Sequence, residues 1–69
     1  MPRGNPVQFE ALRQEGLLSL TEAARRARVD YTTIARLIRR GTLAAERHGA
    51  HRFIRVADLV QVYGEAVRS

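Results

Sequence analysis

The chain is predicted to be mainly α with one small β-hairpin. Two observations support this. Helix-start residues recur at Asn5, Ser19 and Asp30, each followed by apolar residues at helical spacing, and Gly16 and Gly41 stand where such helices would stop. Between Leu43 and Ile54 the pattern changes to a short alternation around Gly49-Ala50, the mark of two brief strands joined by a tight turn.

The first helix is expected from Pro6 to Glu15. Asn5 can cap it, Pro6 suits the first helical position, and Gln8 stands where a capping-box partner belongs. Val7, Ala11 and Leu12 share one face, with Phe9 beside it. The second helix follows Ser19, with Glu22 placed for a reciprocal capping box and Leu18 placed to staple against Ala23. Ala23, Ala24 and Ala27 are small and admit a close helix neighbour, while Arg25 and Arg26 are expected to point outward. After the turn Arg28-Val29-Asp30, Asp30 is expected to cap a third helix, Tyr31 to Arg40. Ile34, Leu37 and Ile38 form its inward stripe. Two short strands, Leu43–His48 and His51–Ile54, precede a closing helix from Val56 to Val67. That helix should turn Leu59, Val62, Tyr63 and Ala66 inward, with Gly64 as its weak point.

Length and composition narrow the possibilities further. The chain has 69 residues, enough for a single domain over 1–69: an arm and helix at 1–17, a central unit at 18–63 and a tail at 64–69. Cysteine is absent, which removes disulfides and thiolate metal sites. No apolar run reaches the length of a membrane span or signal sequence, so a soluble, cytoplasmic protein is expected. All twelve basic residues are arginine and the formal net charge is +5. Nine of those arginines lie between Arg25 and Arg55, against two acids, a surplus of seven in that segment alone. Positive charge concentrated on one module is the footprint of a polyanion binder.

Two short helices joined by a turn, the second with hydroxyl, small and arginine side chains on its free side, have the layout that inserts a helix into the major groove of DNA. With the basic hairpin behind them, the predicted unit is a winged helix-turn-helix with an extra N-terminal helix and a closing C-terminal helix. The free face of the third helix carries Tyr31, Thr32, Ala35, Arg36, Arg39 and Arg40, with Thr33 half-buried at its first turn. Arg36 is placed for a base or phosphate contact. Tyr31 and Thr32 occupy the end that reaches base edges, although Tyr31 could instead cover the apolar turn. Arg39 and Arg40 are placed to hold phosphates or simply to complement the helix dipole. Ser19 and Thr21 could offer free amides to a phosphate or serve only as caps, and Arg25 and Arg26 flank them. In the wing, Arg47, His48, His51 and Arg52 are candidates for a contact with the backbone or with a narrow minor groove.

The run from Leu18 to Tyr63 resembles the small winged helix-turn-helix domains of phage excisionases, which are related to the DNA-binding domains of MerR-type regulators. The resemblance rests on segments in order: Ser19-Leu20-Thr21-Glu22-Ala23-Ala24, Val29-Asp30, Thr33 to Gly41, Gly49-Ala50-His51-Arg52 and Asp58-Leu59. Arg28 stands where the family usually has glycine, and Ala35 where an aromatic is common. His51-Arg52 replaces an arginine pair, and the N-terminal helix has no counterpart in the shared pattern.

The resemblance implies a protein that binds repeated double-stranded DNA sites beside a phage attachment site. Such a protein bends the DNA and directs an integrase toward excision. The implied partners are therefore DNA, an integrase and further copies of the chain, in the cytoplasm of a bacterial host cell, with nucleoid association when bound. A small MerR-like transcriptional regulator is the nearest alternative, and a basic protein–protein interaction module is the alternative of another class. Catalysis is not expected, since no nucleophile has a histidine–carboxylate partnership in the sequence. No metal, cofactor, small-molecule ligand or membrane contact is expected either. Two histidines on a hairpin without a third ligand are poor evidence for zinc.

Overall fold

The computed structural model describes residues 9–68, with side chains from Ala11 onward. The cap at Asn5, the positions of Pro6, Val7 and Gln8, and the side chain of Phe9 lie outside the described residues. The elements in order are α1 (Phe9–Gln14), β1 (Leu17–Ser19), α2 (Leu20–Ala27), α3 (Tyr31–Arg40), β2 (Glu46–His48), β3 (His51–Arg55) and α4 (Val56–Tyr63), closed by a 3-10 turn, Glu65–Arg68.

Helix α2 starts where the local sequence requires. Ser19 is extended (φ −65°, ψ 163°) and its hydroxyl accepts the Glu22 N–H at 3.1 Å. Only this half of the expected capping box forms. The Glu22 carboxylate accepts from Arg25 at 3.3 Å and from Arg26 at 3.1 Å instead, because two guanidinium groups on the next turn outcompete one backbone amide. Leu18 and Ala23 are both buried, as a hydrophobic staple requires.

The turn between α2 and α3 depends on Arg28, which adopts the left-handed conformation (φ 60°, ψ 43°). The Val29 N–H reaches the Ala24 carbonyl at 3.0 Å and the Arg28 N–H reaches the Arg25 carbonyl at 3.2 Å, the paired bonds of a Schellman motif. Gly41 closes α3 in the same way at φ 82°, with Thr42 bonding back to Leu37 at 2.9 Å. Asp30 occupies the N-cap of α3, but its side chain makes no cap hydrogen bond. Its backbone carbonyl instead accepts from Thr33 at 2.9 Å.

The expected hairpin is part of a larger sheet. Residues Leu17–Ser19 form a third strand, giving an antiparallel sheet in the order β1-β3-β2. Leu18 pairs with Ile54 and Ser19 with Phe53 on one side of β3, and Arg47 pairs with Arg52 and His48 with His51 on the other. The first hairpin strand is shorter than the expected Leu43–His48. Leu43 is drawn into the core before the strand begins, leaving only Glu46–His48 to pair. At the turn Gly49 has φ 66°, whereas Ala50 is not left-handed, which is the type II′ pattern.

The core lies between the sheet and the helices. Leu18, Leu20, Ala23, Ala24, Ile34, Leu43, Ile54, Leu59 and Val67 are buried in one cluster, and Leu37 and Ile38 pack against it half-buried. Each large apolar side chain removed from water in this way contributes about 1.5–3 kcal/mol. Leu17 and Phe53 are buried on the other sheet face, where α1 lies along β1.

The closing helix ends at Tyr63, at the weak point that Gly64 marks in the sequence, and Gly64 (φ 96°, ψ 173°) resets the chain into the 3-10 turn. That break shifts the helical phase, so Val67 is buried and Val62 and Ala66 face out, contrary to the inward set read from an unbroken helix. Arg26 secures the turn. Its guanidinium donates to the Val67 carbonyl at 3.2 Å and the Arg68 carbonyl at 2.9 Å. Arg26 is therefore half-buried rather than outward-pointing as expected.

Candidate nucleic-acid interface

Helix α3 presents its free face because its core stripe is so regular. With Ile34 fully buried and Leu37 and Ile38 beside it, a 100° rotation per residue turns Thr32, Ala35, Arg36 and Arg39 to the opposite side. Thr32, Arg36, Arg39 and Arg40 are exposed, and Thr33 and Ala35 are half-buried. Tyr31, at the first turn, is 51 % exposed. The ring therefore stands out from the turn rather than sealing it.

The wing brings its arginines to the same side. In β2 and β3 the side chains alternate, and the register places Arg47 and Arg52 on the face that carries Ile54 and Leu18, toward the helices. An open cleft of about 440 Å³ results, lined by Ser19, Leu20, Thr21, Tyr31, Arg47, Ala50, His51 and Arg52. Six of the residues singled out from the sequence thus converge at one place: Ser19 and Thr21 from the start of α2, Tyr31 from the start of α3, and Arg47, His51 and Arg52 from the wing. Leu20 and Ala50 also line it and were not anticipated. Ala50 lines the cleft as part of the turn that joins the two strands.

His48 does not join this group. It lies, like its cross-strand partner His51, on the sheet face opposite Arg47 and Arg52. His51 lines the cleft from beside the turn, whereas His48, farther along its strand, has its Nε2 3.2 Å from the Glu46 carboxylate and its ring edge-on to Phe53 at a centroid distance of 5.6 Å. Glu46 also pairs with Arg55. The hydrogen bond with His48, supported by Arg55, holds the Glu46 carboxyl below its ordinary value. Arg25 is exposed beside Glu22, and Arg26 is committed to Glu22 and the C-terminal carbonyls.

The charges are therefore sorted by face. Glu22, Glu46 and Glu65 form ion pairs with Arg25, Arg26, Arg55 and Arg68 away from the cleft, Glu22 being shared between two of them. Among the described residues, Arg36, Arg39, Arg40, Arg47 and Arg52 have no ion-pair or hydrogen-bond partner for their guanidinium groups. Arg47 and Arg52 are directly opposed across the strands, an arrangement that repels itself unless an anion is present. Unpaired guanidinium groups on a protruding helix and an adjoining hairpin match the phosphate rails on either side of a groove. Among the described residues, no group of three or more His, Asp or Glu side chains could hold a metal ion, and no helix is long and apolar enough to cross a membrane.

A recognition helix held by a tight turn, with an arginine-bearing wing beside it, defines a winged helix-turn-helix protein. Residues 17–63 match the family model described as a helix-turn-helix domain. The match covers more than half of the chain, and the protein belongs to this family. It is a sequence-specific binder of double-stranded DNA. No curated protein and no solved structure matches the chain.

Proposed function

We propose that the protein is an excisionase: an architectural factor that binds repeated sites beside a phage attachment site, bends the duplex and directs an integrase toward excision. The observation that carries this reading is the set of five arginines, unpartnered among the described residues, shared between recognition helix and wing. Arg36 sits mid-helix to reach into the major groove, while Arg39 and Arg40 at the far end, and Arg47 and Arg52 on the wing, meet phosphates. Neutralising phosphates on one side of the duplex lowers the cost of bending toward that side. The excisionase-like order of segments from Ser19 to Leu59 supports the same reading. Further copies bind along the repeats, and the protein performs no chemistry on the DNA itself.

The test is footprinting across an attachment region with and without the integrase, combined with gel mobility of duplexes whose site is moved from end to centre. Protection of repeated sites, position-dependent mobility and stimulated excision are expected. Occupancy confined to promoter repeats, with excision unaffected, would instead assign the protein to transcriptional control.

A further inference from the structure

Helix α2 has two ends that serve different surfaces. Its start lies in the DNA cleft. Its end opens onto a separate groove of about 700 Å³ between α2 and the closing α4 and 3-10 turn. Ala27, Tyr63 and Ala66 line this groove, and Arg25 and Arg28 stand at it. The charge there is unbalanced. Glu22 is the one acid in the lining, and both its oxygens are taken by Arg25 and Arg26. Arg26 is further saturated by two carbonyls. The Arg25 side chain remains 72 % exposed. Arg28 is exposed, and its guanidinium has no partner among the described residues.

Arg28 also holds a left-handed backbone conformation at φ 60°, which a side chain with a Cβ adopts only at a cost. At the end of α3 the same turn is made by Gly41. The turn itself therefore has no use for an arginine, and the cation that it places on the groove needs another explanation.

We propose that this groove docks an acidic segment of a partner protein, with carboxylates on Arg25 and Arg28 and an apolar side chain against Tyr63 and Ala66. The charge surplus calls for an anionic occupant, and the apolar floor favours a peptide over a phosphate backbone, which has nothing to bury there. A second copy of the chain is a poorer fit. Its acids without an ion-pair partner among the described residues, Glu15, Asp30 and Asp58, are spread over α1, the helix-turn-helix turn and α4. Because the groove is at the opposite end of α2 from the cleft, the partner binds while DNA is held. The inference does not depend on which process the DNA binding serves.

The experiment uses the full chain bound to a duplex and titrated with a fluorescein-labelled synthetic peptide of alternating Glu and Leu. A Glu-Gly peptide of equal charge is the control. Arg28→Gly removes the cation while suiting the backbone, and Ala66→Glu places a competing carboxylate in the groove. Each should weaken binding of the Glu-Leu peptide by about fivefold, the upper effect of one exposed ion pair. Duplex affinity should remain unchanged, and the Glu-Gly peptide should bind less well. The proposal is overturned if neither variant alters peptide binding, if both peptides bind alike, or if the peptide displaces the duplex. It is also overturned if Arg28→Gly weakens duplex binding as much as Arg36→Ala does, since the groove would then be a flank of the DNA interface. Duplex affinity is read in the same samples, so loss of the docking site is distinguished from loss of DNA binding.

Discussion

The opposed arginines of the wing allow a quantitative test of the interface. Replacing Arg47 and Arg52 together by alanine removes two guanidinium groups that face the cleft and have no acid partner among the described residues. If Arg39, Arg40, Arg47 and Arg52 each neutralise one phosphate while Arg36 reads bases, the slope of log affinity against log salt is about −3.6 for the intact protein. The double variant loses two contacts and should have a slope of about −1.8. Between 50 and 200 mM salt the intact protein then loses about 150-fold in affinity and the variant only about 12-fold. Fluorescence anisotropy of a labelled duplex across that salt range measures both slopes. The variant should fold at least as well, because the substitution relieves a like-charge pair directly opposed across two strands. An unchanged slope in a folded variant would mean that the wing stands clear of the phosphates, and the interface would contract to α3.

Other perturbations probe the remaining parts. Arg36→Ala should weaken specific binding strongly and leave the melting temperature unaltered; unaltered affinity would remove Arg36 from the contact set. Arg28→Gly should raise stability by about 1 kcal/mol by relieving the left-handed arginine, a rise of about 4–8 °C in melting temperature; a fall would show that the side chain itself stabilises the turn. Ile34→Ala empties a fully buried site at a cost of about 2–5 kcal/mol. Since a core of this size contributes about 3–5 kcal/mol, circular dichroism should show the variant largely unfolded at room temperature. Glu46 is held below its ordinary value by His48 and Arg55, so its ionised form favours the folded state. That contribution is complete above the unfolded-state value and is lost as pH falls through the lower folded-state value. Glu46→Gln should therefore flatten the acid side of the stability profile, and an identical pH dependence in the variant would show that the carboxylate is not linked to folding.

The boundaries of α2 and α3 were legible in the sequence because they rest on local chemistry. The Ser19 cap, the Ile34-Leu37-Ile38 stripe and the Gly41 stop each need only neighbours within a turn or two. The charge segregation was legible for the same reason, since arginines 36, 39 and 40 sit on a helix whose buried side was already known. Less legible were the features built from distant residues. The strand Leu17–Ser19 exists because it pairs with Phe53–Arg55 far along the chain, and three residues carry too little alternation to announce it. Arg26 is a clamp because Val67 and Arg68 return to it, 41 and 42 residues on. The phase change at Gly64 reversed which residues of the closing segment point inward.

The sequence by itself determined that this chain would be a helical reader of DNA with a basic hairpin, because capping, apolar period and charge content are properties of short segments. Tertiary structure decided how these parts meet. Strand register put Arg47 and Arg52 beside Tyr31 and Thr21 and turned His48 to the far face, since a pleated strand sends neighbouring side chains to opposite sides once its partner is chosen. It also decided which arginines remained available for phosphate, because an acid neutralises only those cations that folding brings within reach.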